Sequence, residues 1–485
     1  MDTKTTRTER DLIGAKEIPN EALYGVQTLR GLENFKISNF TVSQYPLFIK
    51  ALAVTKKGAA VANHKMGLLK DEVAEAIIKA CNEIIDGKHH QHFLVDMIQG
   101  GAGTTTNMNA NEVIANRALE LMGYKRGEYK KCSPNDDVNR SQSTNDAYPT
   151  AIHIGLYYTH LKVKEELMEL IISLRRKADE YVDVIKMGRT QLQDAVPMTL
   201  GQTFSGFASI LNNEIQNIDF AAQELLIVNM GSTAIGTGIC VEPGYSELCS
   251  KALSQITGFD ISISDDLVGA TSDTSAMVGY SSAMKRIAMK LNKICNDLRL
   301  LSSGPKCGLG EINLPPMQPG SSIMPGKINP VIAEVANQVA YKIIGNDVCV
   351  TMCGQAAEME LNAMEPVMAQ CCFESADLLM NGMKTLRQRC IDGITANVEH
   401  CKQQVNSSHS LITALNSIIG YKNSTKIIYQ ATVTGKSIYD LILEYDILNK
   451  EDLDIILKPE NMIKPVKLDI TPKRLDFNLD LEEEE

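Results

Sequence analysis

SAMVGYSSAMKRIAMKLNKICNDLRLLS, residues 275–302, is the stretch that decides the fold class. Within it Met284, Ile287, Leu291, Ile294, Leu298 and Leu301 recur alternately three and four apart. On an α-helix that spacing draws one narrow apolar seam, the pattern of helices that pack along their length. Upstream, Val163, Leu167, Leu170 and Leu174 mark a second long helix, read as following Pro149, and residues 202–226 are strongly periodic. Downstream, residues 331–344 and 358–386 repeat the pattern. Helices this long can bury their stripes only against one another. The chain is therefore expected to be all-α, built round a bundle of about five long helices.

The two ends read differently from this middle. Short extended pieces are expected up to residue 39, helices over 46–64, 71–85 and 110–122, and loops over 97–109 and 187–197. After residue 397 the helical stretches shorten, punctuated by Gly420, Gly435 and Lys436. The expected division is an N-terminal domain over 1–144, a central helical bundle over 145–397 and a small C-terminal domain over 398–463. Residues 464–485 read as an acidic, poorly ordered tail.

A chain of 485 residues can bury large cores, enough for about two to four domains. Its formal charge of −11 argues against a nucleic-acid surface, although Asp476, Asp480 and Glu482 to Glu485 supply six of the negatives. The opening residues are polar and charged, and no apolar run approaches a membrane span, so a cytoplasmic protein without a membrane partner is expected. The twelve cysteines are scattered, mostly among apolar neighbours and with no CxxC pair, and read as small buried hydrophobes rather than a disulfide framework. Only His89, His90 and His92 cluster among the histidines. They stand beside a polar turn without matching ligands, so no metal site is expected.

Chemistry concentrates in one loop, Gly320-Ser321-Ser322-Ile323-Met324-Pro325-Gly326-Lys327-Ile328-Asn329-Pro330. Glycine and proline keep two hydroxyls, a cation and an amide out of regular structure. Pro330 suits the first position of a helix with Asn329 as its N-cap, and a helix N-terminus beside a lysine favours an anion. A nucleotide P-loop is excluded: five residues separate Gly320 from Gly326, and Ile328 stands where a hydroxyl must meet magnesium. The preceding residues 301–319 are also rich in glycine and proline, as in a lid.

The loop resembles the signature of the fumarase/aspartase superfamily. Three further motifs follow the family's order: Gly100-Gly101-Ala102-Gly103-Thr104-Thr105-Thr106-Asn107-Met108-Asn109, then Gln142-Ser143-Thr144-Asn145-Asp146, then Gly188-Arg189-Thr190-Gln191-Leu192-Gln193-Asp194. Details such as Gln191 lean toward the members that release ammonia from L-aspartate. The resemblance implies a three-domain, all-α fold whose central helices assemble into a homotetramer, with each active site shared between subunits. It implies reversible anti-elimination of ammonia to give fumarate, with no cofactor and no metal. Ser321 would be the general base. Thr104, Ser143, Thr144 and Ser322 would bind the β-carboxylate as it becomes a dianionic aci-form. Thr190, Lys327 and Asn329 would hold the α-carboxylate, and Asn145, Thr104 and Gln191 would lie near the amine.

The chemistry agrees with such a residue set. The proton to be removed is weakly acidic, and its loss loads a second charge on a carboxylate, which calls for clustered donors and a strong base kept dry. Thr144 and Asn145 also suit simple capping of the following helix. Ser133-Pro134-Asn135-Asp136 replaces the His-Pro-Asn-Asp of fumarases, which puts their accessory anion site in doubt here. Two alternatives stand beside this reading: a fumarate hydratase acting on L-malate, and a non-catalytic helical oligomer.

Overall fold

A computed structural model describes residues 5–475; the last ten residues of the expected tail lie outside this range. In chain order, a hairpin of β1 (Thr6–Asp11) and β2 (Gly14–Pro19) precedes α1 (Val26–Asn34), α2 (Pro46–Lys65), α3 (Asp71–Ile85) and α4 (Thr104–Leu121). Next come α5 (Thr144–Glu180), a second hairpin of β3 (Ile185–Thr190) and β4 (Gln193–Thr199), and α6 (Leu200–Glu224). Then follow α7 (Tyr245–Thr257), α8 (Leu267–Ser272), α9 (Ser275–Leu301), α10 (Val331–Gly354) and α11 (Glu365–Arg389). Shorter helices beginning with α12 (Val398–Ser407) complete the chain. The fold is all-α, its strands confined to two-stranded pairs.

The expected seam of α9 is buried along its whole length, from Met284 to Leu301. At about 2 kcal/mol for each large apolar side chain, that stripe explains why a helix of this length holds together. Polar partners flank it: Ser281 and Lys285 bind Asp347 of α10, and Arg286 Nε lies 3.1 Å from the buried Glu214 of α6. No helix among the described residues is long and apolar enough to cross a membrane.

The chain forms two compact units, and their boundary cuts all five long helices. The first unit runs to Leu167 and adds Asn213–Leu291 and Gln338–Gly382; the second holds Met168–Asn212, Asn292–Asn337 and the chain from Met383 onward. In the first, α2 packs on α3 and α7 through small residues, and a Cβ at Gly58 would lie 2.6 Å from Leu253. In the second, Ile412, Leu415, Ile427, Leu441 and Leu453 form a separate apolar core under the C-terminal helices.

Several helix limits depart from expectation, each for an identifiable reason. Helix α4 starts at Thr104, six positions early, because Gly101, Ala102 and Gly103 all have positive φ and end the loop there. Helix α5 starts at Thr144 and contains Pro149. Proline leaves the carbonyl four residues back without its N–H partner. That carbonyl, of Asn145, accepts instead from Asn229 Nδ2 at 2.9 Å. Before α10, Pro330 rather than Asn329 occupies the cap, since its carbonyl accepts the first helical bond from Glu334 N. The expected loop at 187–197 is the β3–β4 hairpin.

Helix α1 is capped from a distance. Its N-cap is Gly25, and the buried Glu112 of α4 accepts from the backbone N–H groups of Gly25, Gln27 and Thr28 and from the Thr28 hydroxyl. Glu112→Ala strands all four donors. It is expected to cost about 3 kcal/mol or more, read as a lowered denaturant midpoint; an unchanged midpoint would refute this role.

Candidate active site

The first unit gathers Thr104, Ser143, Thr144 and Asn145. Ser143 caps α5: its hydroxyl accepts from Asn145 N at 3.2 Å, while Asp146 Oδ1 accepts from Ser143 N at 2.9 Å, a reciprocal capping box. The cap is thus Ser143, not Thr144 or Asn145. Because its oxygen is the acceptor, the Ser143 hydrogen remains available to an anion. Thr104 opens α4 and donates to Gly101 O at 2.8 Å. Gly103, just before it, is packed tightly: an added Cβ would fall 2.3 Å from the Tyr148 ring.

A buried lysine anchors this group. Lys56 Nζ donates to Asn107 Oδ1 at 2.6 Å, Asn139 Oδ1 at 3.0 Å and Gln142 Oε1 at 2.9 Å. Asn107 Nδ2 in turn donates to Thr144 Oγ1 at 3.2 Å. Burial pushes the Lys56 ammonium down to about 7, with the Asp146 carboxylate pulling the other way. Asp146 is pushed up to about 6 by burial, against backbone N–H bonds from Thr233, Ser143 and Gly231. Asn145 Nδ2 donates to Ala234 O at 2.8 Å.

These bonds bring in residues 229–236, which the sequence reading passed over. The run Gly231-Ser232-Thr233-Ala234-Ile235-Gly236-Thr237-Gly238 carries three glycines and three hydroxyls, as many of each as residues 100–106. That composition is the signal that would have found it.

The second unit holds the other motifs. Thr190 and Gln191 are exposed at the tip of the β3–β4 hairpin. Gln191 and Leu192 have φ of 53° and 63°, the left-handed pair of a two-residue hairpin turn, without the Asn or Gly that advertises one. In the Gly320–Pro330 loop, Ser321 Oγ accepts from Ile323 N at 3.2 Å and Met324 N at 3.0 Å. The loop neck is closed by Gly320 N donating to Lys327 O at 2.7 Å and Asn329 Nδ2 donating to Gly320 O at 2.8 Å. Residues 322–328 are exposed, Ile323 by 83%.

Lys327, Asn329, Arg299 and Glu334 line a cavity of about 950 Å³, and Ser321 and Lys327 share a smaller one of about 530 Å³. Another of about 820 Å³, among Asp183, Lys402, His409 and Lys436, contains none of the motif residues. His89 and His90 are taken by Glu83 Oε2 and Ile84 O. Ser133 caps its own short turn, accepting from Asp136 N.

A family model described as Lyase matches residues 14–345, and one described as Fumarase C C-terminus matches residues 411–464. The chain belongs to the fumarase/aspartase superfamily. Among its relatives, the aspartate ammonia-lyase of Pseudomonas aeruginosa is 53% identical over 462 residues, 95% of this chain and 98% of the relative. Those of Helicobacter pylori and Escherichia coli are 52% and 50% identical over 95% of this chain and 98% and 96% of their own lengths. Among solved structures of the superfamily, a fumarate lyase:delta crystallin from Brucella melitensis, bound to cobalt, is similar with a TM-score of 0.92. It is 48% identical, covering 95% of this chain and all of that one. A class II fumarase from Schistosoma mansoni has a TM-score of 0.88 at 34% identity, covering 94% and 99%.

Proposed function

We propose that the protein is an aspartate ammonia-lyase, eliminating ammonia from L-aspartate to give fumarate through an aci-carboxylate, with Ser321 as the base. The observation that carries the mechanism is the pair of backbone N–H groups aimed at Ser321 Oγ. A serine hydroxyl is a poor base; its alkoxide becomes accessible when fixed donors stabilise the negative oxygen. Ile323, Met324 and Ile328, exposed on the same loop, suit its closing over substrate and excluding water.

The remaining roles are those the family resemblance implies, read together with the hydrogens and lone pairs each side chain has to offer. Ser143, Thr144 and Ser322 offer hydroxyl hydrogens to the β-carboxylate. Thr104, whose hydrogen is held by Gly101, keeps lone pairs for the ammonium and must rotate to serve the carboxylate. Lys327, Thr190 and the second amide hydrogen of Asn329 take the α-carboxylate. Asn145 and Gln191 complete the amine site.

The reading includes a homotetramer with shared sites. Along α10, Gln338, Tyr341, Gly345, Val348 and Met352 repeat three and four apart, and all are exposed. This three-four stripe, which carries Tyr341, Val348 and Met352 and is left uncovered by its own chain, supports packing of copies along their long helices. The free state of all twelve cysteines supports a reducing, cytoplasmic setting.

Ammonia is favoured over water by Gln191. Hydroxide leaves poorly and needs an acid, for which histidine serves; the ammonium of aspartate arrives protonated and needs only an acceptor to orient it. Fumarate absorbance after mixing the protein with L-aspartate or L-malate tests this. Release from aspartate is expected to exceed release from malate by about a hundredfold or more. Efficient dehydration of malate without deamination would instead establish a fumarate hydratase.

A further inference from the structure

Lys186 and Arg189 lie three residues apart on β3, a spacing that regular alternation sends to opposite faces. The register against β4 shifts between Met187 and Arg189, and this bulge lets both cations reach one partner. Gly188 permits it, since an added Cβ would lie 2.7 Å from the Val196 carbonyl oxygen.

The partner is Glu311, which has no exposed surface. Arg189 Nη1 donates to Glu311 Oε1, and Lys186 Nζ lies 3.1 Å from Oε2. Lys186 is only 5% exposed and also donates to Met187 O at 2.7 Å. The Glu311 backbone is itself pinned, its N–H donating to Leu301 O at 2.8 Å and its carbonyl accepting from Asn397 N at 2.9 Å. Its neighbours Ile312 and Asn313 pair with Ala396 and Thr395. One arm of the clamp therefore ends beside Thr190, and the other sits at the root of the segment that leads to Ser321.

We propose that Glu311 is a positioning residue for the elimination, holding the Thr190–Gln191 turn in a fixed relation to the stem of the Ser321 loop. The proposal rests on the reading of those residues as site residues. Glu311 acts through Arg189 and Lys186. Buried charge clusters add little stability over apolar packing of the same volume, so the consequence of burying three charges here is geometric.

Two full-length variants test it. Glu311→Gln keeps the shape and removes the charge; kcat/KM on L-aspartate is expected to fall by about 10- to 100-fold. Amide hydrogen exchange is expected to quicken in residues 189–194 and 309–330 and to stay unchanged in residues 46–121. The second variant, Glu311→Leu with Lys186→Met and Arg189→Met, replaces the clamp by apolar packing. It is expected to match the wild-type denaturant midpoint while activity stays low and exchange stays fast.

Wild-type kcat/KM in a folded Glu311→Gln protein would overturn the proposal. So would recovery of activity together with stability in the apolar variant, the outcome of a merely structural role. If Glu311→Gln does not fold, the apolar variant decides alone. Absence of aspartate activity in the wild type would count against the parent reading; unchanged exchange in both segments would then count separately against the clamp.

Discussion

Ser321→Ala is expected to abolish fumarate release from L-aspartate, by about a thousandfold or more, while assembly and helical content stay at wild-type levels. The hydroxyl receives only Ile323 N and Met324 N, both inside its own exposed loop, so its loss takes nothing from the buried seams of the long helices. A base that takes a proton from carbon in the transition state lowers kcat and kcat/KM together when removed. The measurement is a steady-state assay beside a circular-dichroism spectrum and a mass determination. Turnover near wild type in a folded Ser321→Ala protein would remove serine from the base role.

Subunit mixing should produce the second large effect, activity rising from none. Asn145 and Ser321 are taken in the proposed reading to reach one site from different copies of the chain. Asn145→Ala and Ser321→Ala proteins, each inactive, are then expected to regain activity when dissociated and reassembled together. For random association about a quarter of the sites receive both intact loops. Ser321→Ala mixed with Lys327→Ala is the control, because both lesions lie in one loop and no site recovers both residues from a single copy. Absence of recovery in the first mixture, with subunit exchange demonstrated by a size tag, would place the site within single chains.

The sequence by itself determined what local periodicity and local chemistry carry. The three-four alternation from Met284 to Leu301 reads as a buried helical seam without reference to any neighbour, and the structure buries every member of it. Asp71–Ile85 could be read to the residue for the same reason. The motif loops were legible because glycine, proline and clustered hydroxyls mark them wherever they fall. Limits set by distant partners were not legible: the start of α5 at Thr144 depends on Asn229 taking the carbonyl that Pro149 leaves, 84 positions away in the chain.

Only the tertiary structure decided the arrangements that hold the site. Gln191 and Leu192 form a left-handed turn that neither residue favours by itself; pairing of β3 with β4 over Ile185–Thr199 pins it. Ser321 could be picked out as a hydroxyl in a loop, but the two N–H groups at its oxygen arise from the path of the backbone around it. Glu112 and Glu311 were indistinguishable from surface carboxylates in the sequence, and each proved to be a buried hub for donors from other segments. Helical periodicity is a property of neighbours along the chain, whereas the burial and satisfaction of a charge depend on which distant segments close around it. Folding alone supplies that information.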